Sequence, residues 1–208
     1  MSGDYETLAK NQPDIYYTKS SSNMKQIFSN QFYYQFKMPD FDILKERLET
    51  IEKFDDGDFT WGELCKIERD SYNVNDFFDI LVKPVGMLSG QLGVKFNAKI
   101  SHPWLNRYDR GGFQEIHYHD DCDIAAVVFL NDGEDFSKFY FWDSNHTAFT
   151  KPWIKILTQM KLSNIYYPEV KAGDVLLFPS HMLHGVSPHN CDIIRETFSF
   201  NVVVTNVE

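Results

Sequence analysis

A chain of 208 residues with 43% hydrophobic and 16% aromatic content can bury one substantial core and is too apolar to be disordered over its length. Its formal net charge of −10 comes without a dense Lys/Arg run, which argues against a partner held by neutralising phosphates, so nucleic acid is disfavoured. Cys65, Cys122 and Cys191 stand apart with no C-x-x-C pair, so neither a disulfide framework nor a thiolate zinc site is expected.

Residues 1–25 read as a polar N-terminal arm that ends around Ser20-Ser21-Ser22-Asn23, and 26–208 read as a single domain. Met1 to Lys10 lacks the basic start and apolar stretch of a signal peptide. The longest apolar run, Ile124 to Leu130, is far too short to cross a bilayer, so no membrane partner is expected. With unpaired thiols, these features point to a cytoplasmic setting.

Gln31 to Lys37 alternates as a strand, with Phe32, Tyr34 and Phe36 on one side. Pro39-Asp40 then reads as a helix entry with Asp40 as N-cap. Phe41, Leu44, Leu48 and Ile51 follow at helical spacing, and Asp55-Asp56-Gly57-Asp58 is expected to end that helix. A second stripe, Val74, Phe77, Phe78 and Leu81, runs up to Pro84, where the ring is expected to break or kink the helix. Both helices are expected to cover one face of a sheet.

From Val94 onward the period changes to two. Val94, Phe96, Ala98 and Ile100 alternate with polar residues; Trp104, Asn106 and Tyr108 share a face, as do Phe113, Glu115, His117 and His119. Ile124 to Leu130 reads as a strand buried on both sides, Asn131-Asp132-Gly133 as a turn, and Lys138 to Trp142 as an aromatic strand. Ala172-Gly173-Asp174 turns into Val175 to Phe178. The last strand, Ile193 to Val204, places Arg195, Thr197, Ser199 and Asn201 on one face, and Glu196, Phe198, Phe200 and Val202 on the other. Many short strands after an early helical part imply a mainly β fold with flanking helices, a jelly-roll.

Within that barrel the chemistry gathers on a few residues. His117 and His119 are two positions apart behind the Gly111-Gly112 turn, so an extended strand would aim both at one metal ion. His184 supplies a third nitrogen from a distant strand, and a mononuclear site with open positions suits Fe(II) and oxygen chemistry. Arg195, one strand further on, could grip the distal carboxylate of a 2-oxo diacid, with the Thr197 hydroxyl beside it. The other histidines have ordinary readings. His102 sits beside Pro103 in a turn, His146 and His189 lie in loops, and the F-P-S-x-x-x-H spacing selects His184 over His181.

These motifs resemble those of the Fe(II)/2-oxoglutarate-dependent dioxygenases. The nearest resemblance is to oxygenases, often from phages or marine bacteria, that share a W-x-N…G-x-x-x-x-H-x-H block and a G-D-x-x-x-F-P-S-x-x-x-H-x-V-x-P block. The first is met by Trp104, Asn106, Gly112, His117 and His119. The second is met by Gly173, Asp174, Phe178, Pro179, Ser180, His184, Val186 and Pro188, with Arg195 and Phe200-Asn201 following in order. Prolyl-hydroxylase-like enzymes share the Tyr108, Gly111, Gly112, His117 spacing, and alkylation-repair dioxygenases share Asn106, Tyr108, Gly111, His117 and the position of His119.

The resemblance implies a cupin-like double-stranded β-helix, with its catalytic barrel over about residues 94–204, and Fe(II), 2-oxoglutarate and O2 as cofactors. It implies hydroxylation of an unidentified prime substrate, a protein side chain such as proline or a small molecule, with succinate and CO2 as co-products. It gives His117, His119 and His184 the metal, Arg195 and Thr197 the distal carboxylate of 2-oxoglutarate, and Asn106 and Tyr108 further contacts to it. A phage-encoded chain would work in the host cytoplasm. His119 stands where the family usually has a carboxylate; Asp121, in His119-Asp120-Asp121, is the other candidate for that place, while the upstream Tyr-Gly-Gly spacing favours His117 with His119. Trp142, Phe149 and Trp153 lie where substrate loops could sit. The reading from another class is a cupin-like metal-binding module, which would keep the histidines and have no need of Arg195.

Overall fold

The computed structural model describes residues 23–28, 31–54, 65–144 and 163–207. Strands β1 (Met24–Phe28) and β2 (Gln31–Lys37) open the chain as an antiparallel pair. The alternation of β2 puts Tyr34 and Phe36 into one core and Tyr33 into another. Helix α1 (Phe41–Thr50) begins one residue after Asp40 and buries Leu44. Asp40 is left-handed, at φ 53°, and makes no side-chain cap; its carboxylate pairs instead with Lys83 of the next helix. The helix ends at Thr50, where Ile51 turns extended, which is earlier than the Asp55–Asp58 stop, itself outside the described residues.

Strand β3 (Glu68–Ser71) and a 3-10 turn (Val74–Asp76) lead into α2 (Phe78–Leu92). Pro84 does not end this helix, which continues for two more turns. Ile80, Leu81, Pro84, Val85 and Leu88 are all buried, and their packing offsets the ~3 kcal/mol that proline costs inside a helix.

The remaining strands are β4 (Phe96–Ile100), β5 (Trp104–Tyr108), β6 (Gln114–His117), β7 (Ile124–Phe129), β8 (Phe139–Trp142), β9 (Ile165–Tyr166), β10 (Asp174–Pro179), β11 (His184–Val186) and β12 (Arg195–Val207). Among the described residues they make two antiparallel sheets. The larger runs β1-β2-β10-β7-β12-β5-β3, with β4 also on β12, and the smaller runs β6-β11-β8-β9. These are the two faces of a double-stranded β-helix. One core lies between the large sheet and the helices, where Phe198, Phe200, Val175 and Leu177 meet Leu44, Ile80, Leu81 and Leu88. The other lies between the sheets and holds Tyr33, Tyr108, Phe129, Phe139, Phe141 and Phe178. Helices on one face and a second sheet on the other are what the two burial patterns of the long strands require, and β7 and β10 are buried on both sides. Among the described residues, no helix is long and apolar enough to cross a membrane.

Candidate metal and co-substrate site

Three strand ends bring the histidines together. His117 closes β6 and His184 opens β11, and the two are direct partners across that antiparallel pair. His119 follows β6 and is held by its backbone N–H to the Ser180 carbonyl at 3.0 Å. The ring centroids of His117 and His184 are 4.2 Å apart, and His119 stands 5.4 and 5.3 Å from them. One nitrogen of each ring lies within 4.8 Å of the others, close enough for a single ion to take all three.

Which nitrogen faces inward follows from the partners of the other. His117 Nδ1 lies 2.9 Å from the Glu115 carbonyl, His184 Nδ1 2.8 Å from the Met182 carbonyl, and His119 Nδ1 2.9 Å from Asn201 Oδ1. All three partners are carbonyl oxygens that can only accept, so each Nδ1 carries the hydrogen and each Nε2 keeps a lone pair. Such outer partners fix the tautomer and the ring orientation of a metal-binding histidine. Burial pushes all three rings below the ordinary histidine range: His117 to about 4, His119 in the same direction, and His184 well below. The Glu115 carbonyl, Asn201 and Met182 oppose the shift, and the neighbouring rings add to it for His117 and His184. The cluster is therefore neutral at physiological pH, the form that binds a cation. Phe178 and Phe139 wall His184 at 4.8 and 5.6 Å.

Asp121 belongs to a different group. With His119 and Cys122 it could offer atoms within 4.8 Å of one another, but it is exposed and is absent from the three-histidine cluster. His181 is exposed and takes no part. His102 accepts a hydrogen bond from the Val74 N–H at 3.3 Å. His189 sits in a loop as expected, yet it is fully buried, accepting from the Ser137 N–H and bonded through Nε2 to the Ile193 carbonyl. His146, Phe149 and Trp153 lie outside the described residues, and Trp142 is half-buried on β8.

The residues expected at the co-substrate form two cross-strand pairs on β5 and β12: Arg195 opposite Tyr108, and Thr197 opposite Asn106. All four are buried. Arg195 is 3% exposed, its guanidinium lies 4.9 Å from the Tyr108 ring centre and 5.6 Å from that of Phe129, and its Nη1 has no hydrogen-bond partner. Asn106 Oδ1 is likewise buried without one. Burial pulls the Arg195 pKa down, with Tyr108 opposing, and burial pushes the Tyr108 hydroxyl up. A buried guanidinium N–H left without an acceptor costs about 1–3 kcal/mol or more, which a bound carboxylate would relieve.

Two side chains with roles here were not singled out from the sequence. Asn201 lies on the Arg195–Thr197 face and ends the second motif, so its place was legible while its bond to His119 was not. Gln114 was hidden by a bulge. His117 pairs with His184, and Gln114 pairs with Val186, so β6 spends three steps where β11 spends two. The extra residue brings Gln114, rather than Glu115, to the His117 side, and its amide nitrogen is 3.3 Å from His117 Nε2.

The turn before β6 needs both glycines. Gly111 is left-handed at φ 81°, and a Cβ on Gly112 would come within 2.9 Å of the Asp109 and Lys66 carbonyl oxygens.

Residues 102–201 match the family described as "Putative 2OG-Fe(II) oxygenase". No curated protein matches the chain. Among solved structures, HygX from Streptomyces hygroscopicus, with nickel and 2-oxoglutarate bound, is similar at TM-score 0.59 and 16% identity, over 86% of this chain and 85% of that one. A prolyl-4-hydroxylase of Pseudomonas putida is similar at TM-score 0.56 and 13% identity, over 86% and 95%. The collagen prolyl hydroxylase vCPH of Paramecium Bursaria Chlorella virus-1, in its 2OG complex, is similar at 0.53 and 12%, over 85% and 98%. Identities this low speak for the shared fold, and the family match speaks for the motif-bearing barrel.

Proposed function

We propose, for a chain that belongs through residues 102–201 to the 2OG-Fe(II) oxygenases, that His117, His119 and His184 hold the iron and that Arg195 holds the far carboxylate of 2-oxoglutarate. The observation that carries this reading is a combination: three neutral rings with their Nε2 lone pairs turned together at the smaller sheet, and on the β5–β12 pair of the larger sheet a buried guanidinium with a donor lacking an acceptor. A module that only stored a metal would have no use for that cation. Fe(II), held there with 2-oxoglutarate, supplies the activation of O2 that oxidises a C–H bond and leaves succinate and CO2.

The chain's own part is binding and orientation. Glu115, Met182 and Asn201 hold the rings in one tautomer, so no proton has to leave before the metal enters. Three neutral ligands leave the charge of a divalent cation uncompensated, and a dianionic 2-oxo acid supplies the balance that a carboxylate ligand would otherwise give. Arg195 and Thr197 fix the distal end of that acid, with Asn106 and Tyr108 beside them, and the aromatic wall of Phe129, Phe139 and Phe178 excludes water. The reaction is a hydroxylation, on a protein side chain as in prolyl hydroxylases or on a small molecule. The likeness to prolyl hydroxylases and to HygX, whose structure is known with hygromycin B bound, supports both substrate classes. Three free cysteines fit work in the reducing cytoplasm.

The test is an anaerobic titration of the metal-free protein with Fe(II) and then 2-oxoglutarate, followed by visible absorbance. A charge-transfer band that needs both reagents and is lost in His184→Ala supports the reading. No band at saturating reagents would sink it and bring forward the cupin-like metal module.

A further inference from the structure

We propose that Gln114 is a positioning residue for the co-substrate. Its amide caps His117 in the metal-free protein, and it gives that N–H to the near oxygen atoms of the 2-oxo acid once a metal takes the histidine's lone pair. The proposal rests on the site reading above.

The polarity of this contact is determined from its far end. The Glu115 carbonyl can only accept, so His117 Nδ1 carries the hydrogen and Nε2 can only accept. The atom 3.3 Å from Nε2 must then be the Gln114 amide nitrogen, donating. That leaves Gln114 Oε1 facing the Tyr108 hydroxyl at 3.0 Å, and the hydroxyl must donate to it. The Arg195 guanidinium in turn lies against the Tyr108 ring, 4.9 Å from its centre. One directed chain therefore runs from Tyr108, whose ring the Arg195 guanidinium faces, through Gln114 to His117. It joins the group proposed for the distal carboxylate to a group proposed for the metal, the same two ends that a five-carbon diacid must span.

A donor and a metal cannot both use one lone pair, so metal binding displaces Gln114 from Nε2. The displaced amide does not swing free, because Oε1 stays tied to Tyr108, whose ring is fully buried. Its N–H groups stay beside the metal position, on the wall along which the co-substrate lies, where acceptor oxygens are what the 2-oxo acid brings. At 3.3 Å the N–H···N contact is at the weak end of the hydrogen-bond range, and a contact to anionic oxygen is about twice as strong. Exchange of one for the other favours the 2-oxo acid only after the metal has bound, which makes binding ordered.

The experiment measures two affinities in wild type, Gln114→Met and Gln114→Glu: Ni(II) for the metal-free protein, and 2-oxoglutarate for the Ni(II)-loaded protein, both by calorimetry. Gln114→Met should bind Ni(II) as well as wild type or up to about fivefold tighter, since one competing hydrogen bond is gone, and bind 2-oxoglutarate about 10- to 100-fold more weakly. Gln114→Glu keeps the shape and puts an acceptor where a donor is needed. It should tighten Ni(II) by about fivefold or more and weaken 2-oxoglutarate beyond the Met variant, opposite signs that a damaged fold cannot produce. Weaker Ni(II) binding with unchanged 2-oxoglutarate affinity would overturn the proposal and leave Gln114 as a support for His117. Wild-type values in both variants would overturn it as well. If wild type itself bound neither Ni(II) nor 2-oxoglutarate, the site reading would fall first and this inference with it.

Discussion

Replacing Arg195 with methionine should make the metal-free protein more stable while abolishing its response to 2-oxoglutarate. The side chain is 3% exposed and its Nη1 has no acceptor, so the folded protein carries a desolvated cationic donor worth about 1–3 kcal/mol of destabilisation. Methionine fills most of the same space without the charge. Against that gain stand the contacts over Tyr108 and Phe129, at 4.9 and 5.6 Å, which together return about 1 kcal/mol. The net expectation is a gain of about 1 kcal/mol, or roughly 2–4 °C in Tm for a chain of this size. In wild type loaded with Ni(II), 2-oxoglutarate at about one hundred times its Kd should add ~2.7 kcal/mol, a further rise of roughly 5–10 °C. In Arg195→Met the fork that binds a carboxylate bidentately is gone, and that rise should vanish at the same concentration. Thermal unfolding followed by circular dichroism, with and without 2-oxoglutarate, reads both effects. A variant that loses several degrees when metal-free and keeps the full rise would refute the reasoning, for Arg195 would then be a structural cation.

Four further perturbations test other parts of the site. Asn201→Leu removes the acceptor that orients His119 and should weaken Ni(II) binding about 10- to 100-fold. Asp121→Asn should leave Ni(II) binding at the wild-type level, and a comparable loss there would make Asp121 the third ligand in place of a histidine. The metal-free protein should lose stability as pH falls below 6.5 toward 4, because His117 is depressed from 6.5 to about 4 and His119 and His184 shift the same way. In that window the unfolded chain binds protons that the folded one does not, at up to about 1.4 kcal/mol per pH unit for each ring. Urea midpoints at pH 7.5, 6 and 5 should show a steeper decline in wild type than in His117→Gln, and equal slopes would contradict it. Gly112→Ala would press a methyl group against two backbone oxygens, so a loss of about 1–3 kcal/mol is expected from the same urea series, with weaker Ni(II) binding as the turn shifts.

Much of the molecule follows from local pattern. The period-two runs at 31–37, 96–100 and 195–202 became strands with the expected faces, because side-chain alternation belongs to the extended backbone itself. The order of Gly-Gly turn, His-x-His and third histidine picked out rings that lie close together in the fold, although 117 and 184 are far apart in the chain, and the arginine that follows them in sequence is buried. Spacing can do this where each side chain lies on a regular strand.

Where the chain departs from regularity, the tertiary structure decided. Pro84 was a breaker by local rule, yet α2 runs through it because the buried face of Val85 and Leu88 outweighs one lost backbone bond. Asp40 precedes a helix as a cap should, but Lys83 claims its carboxylate. The bulge in β6 shifts the inward-facing residue from Glu115 to Gln114, a choice made by register against β11 and invisible in β6 alone. The tautomers of the three rings depend on the carbonyls of Glu115 and Met182 and on the distant amide of Asn201. The sequence by itself determined which chemical groups the barrel carries, since residue type and period are local. Only the tertiary structure decided which lone pairs face the centre and which donor is left without an acceptor, since both depend on partners from other strands.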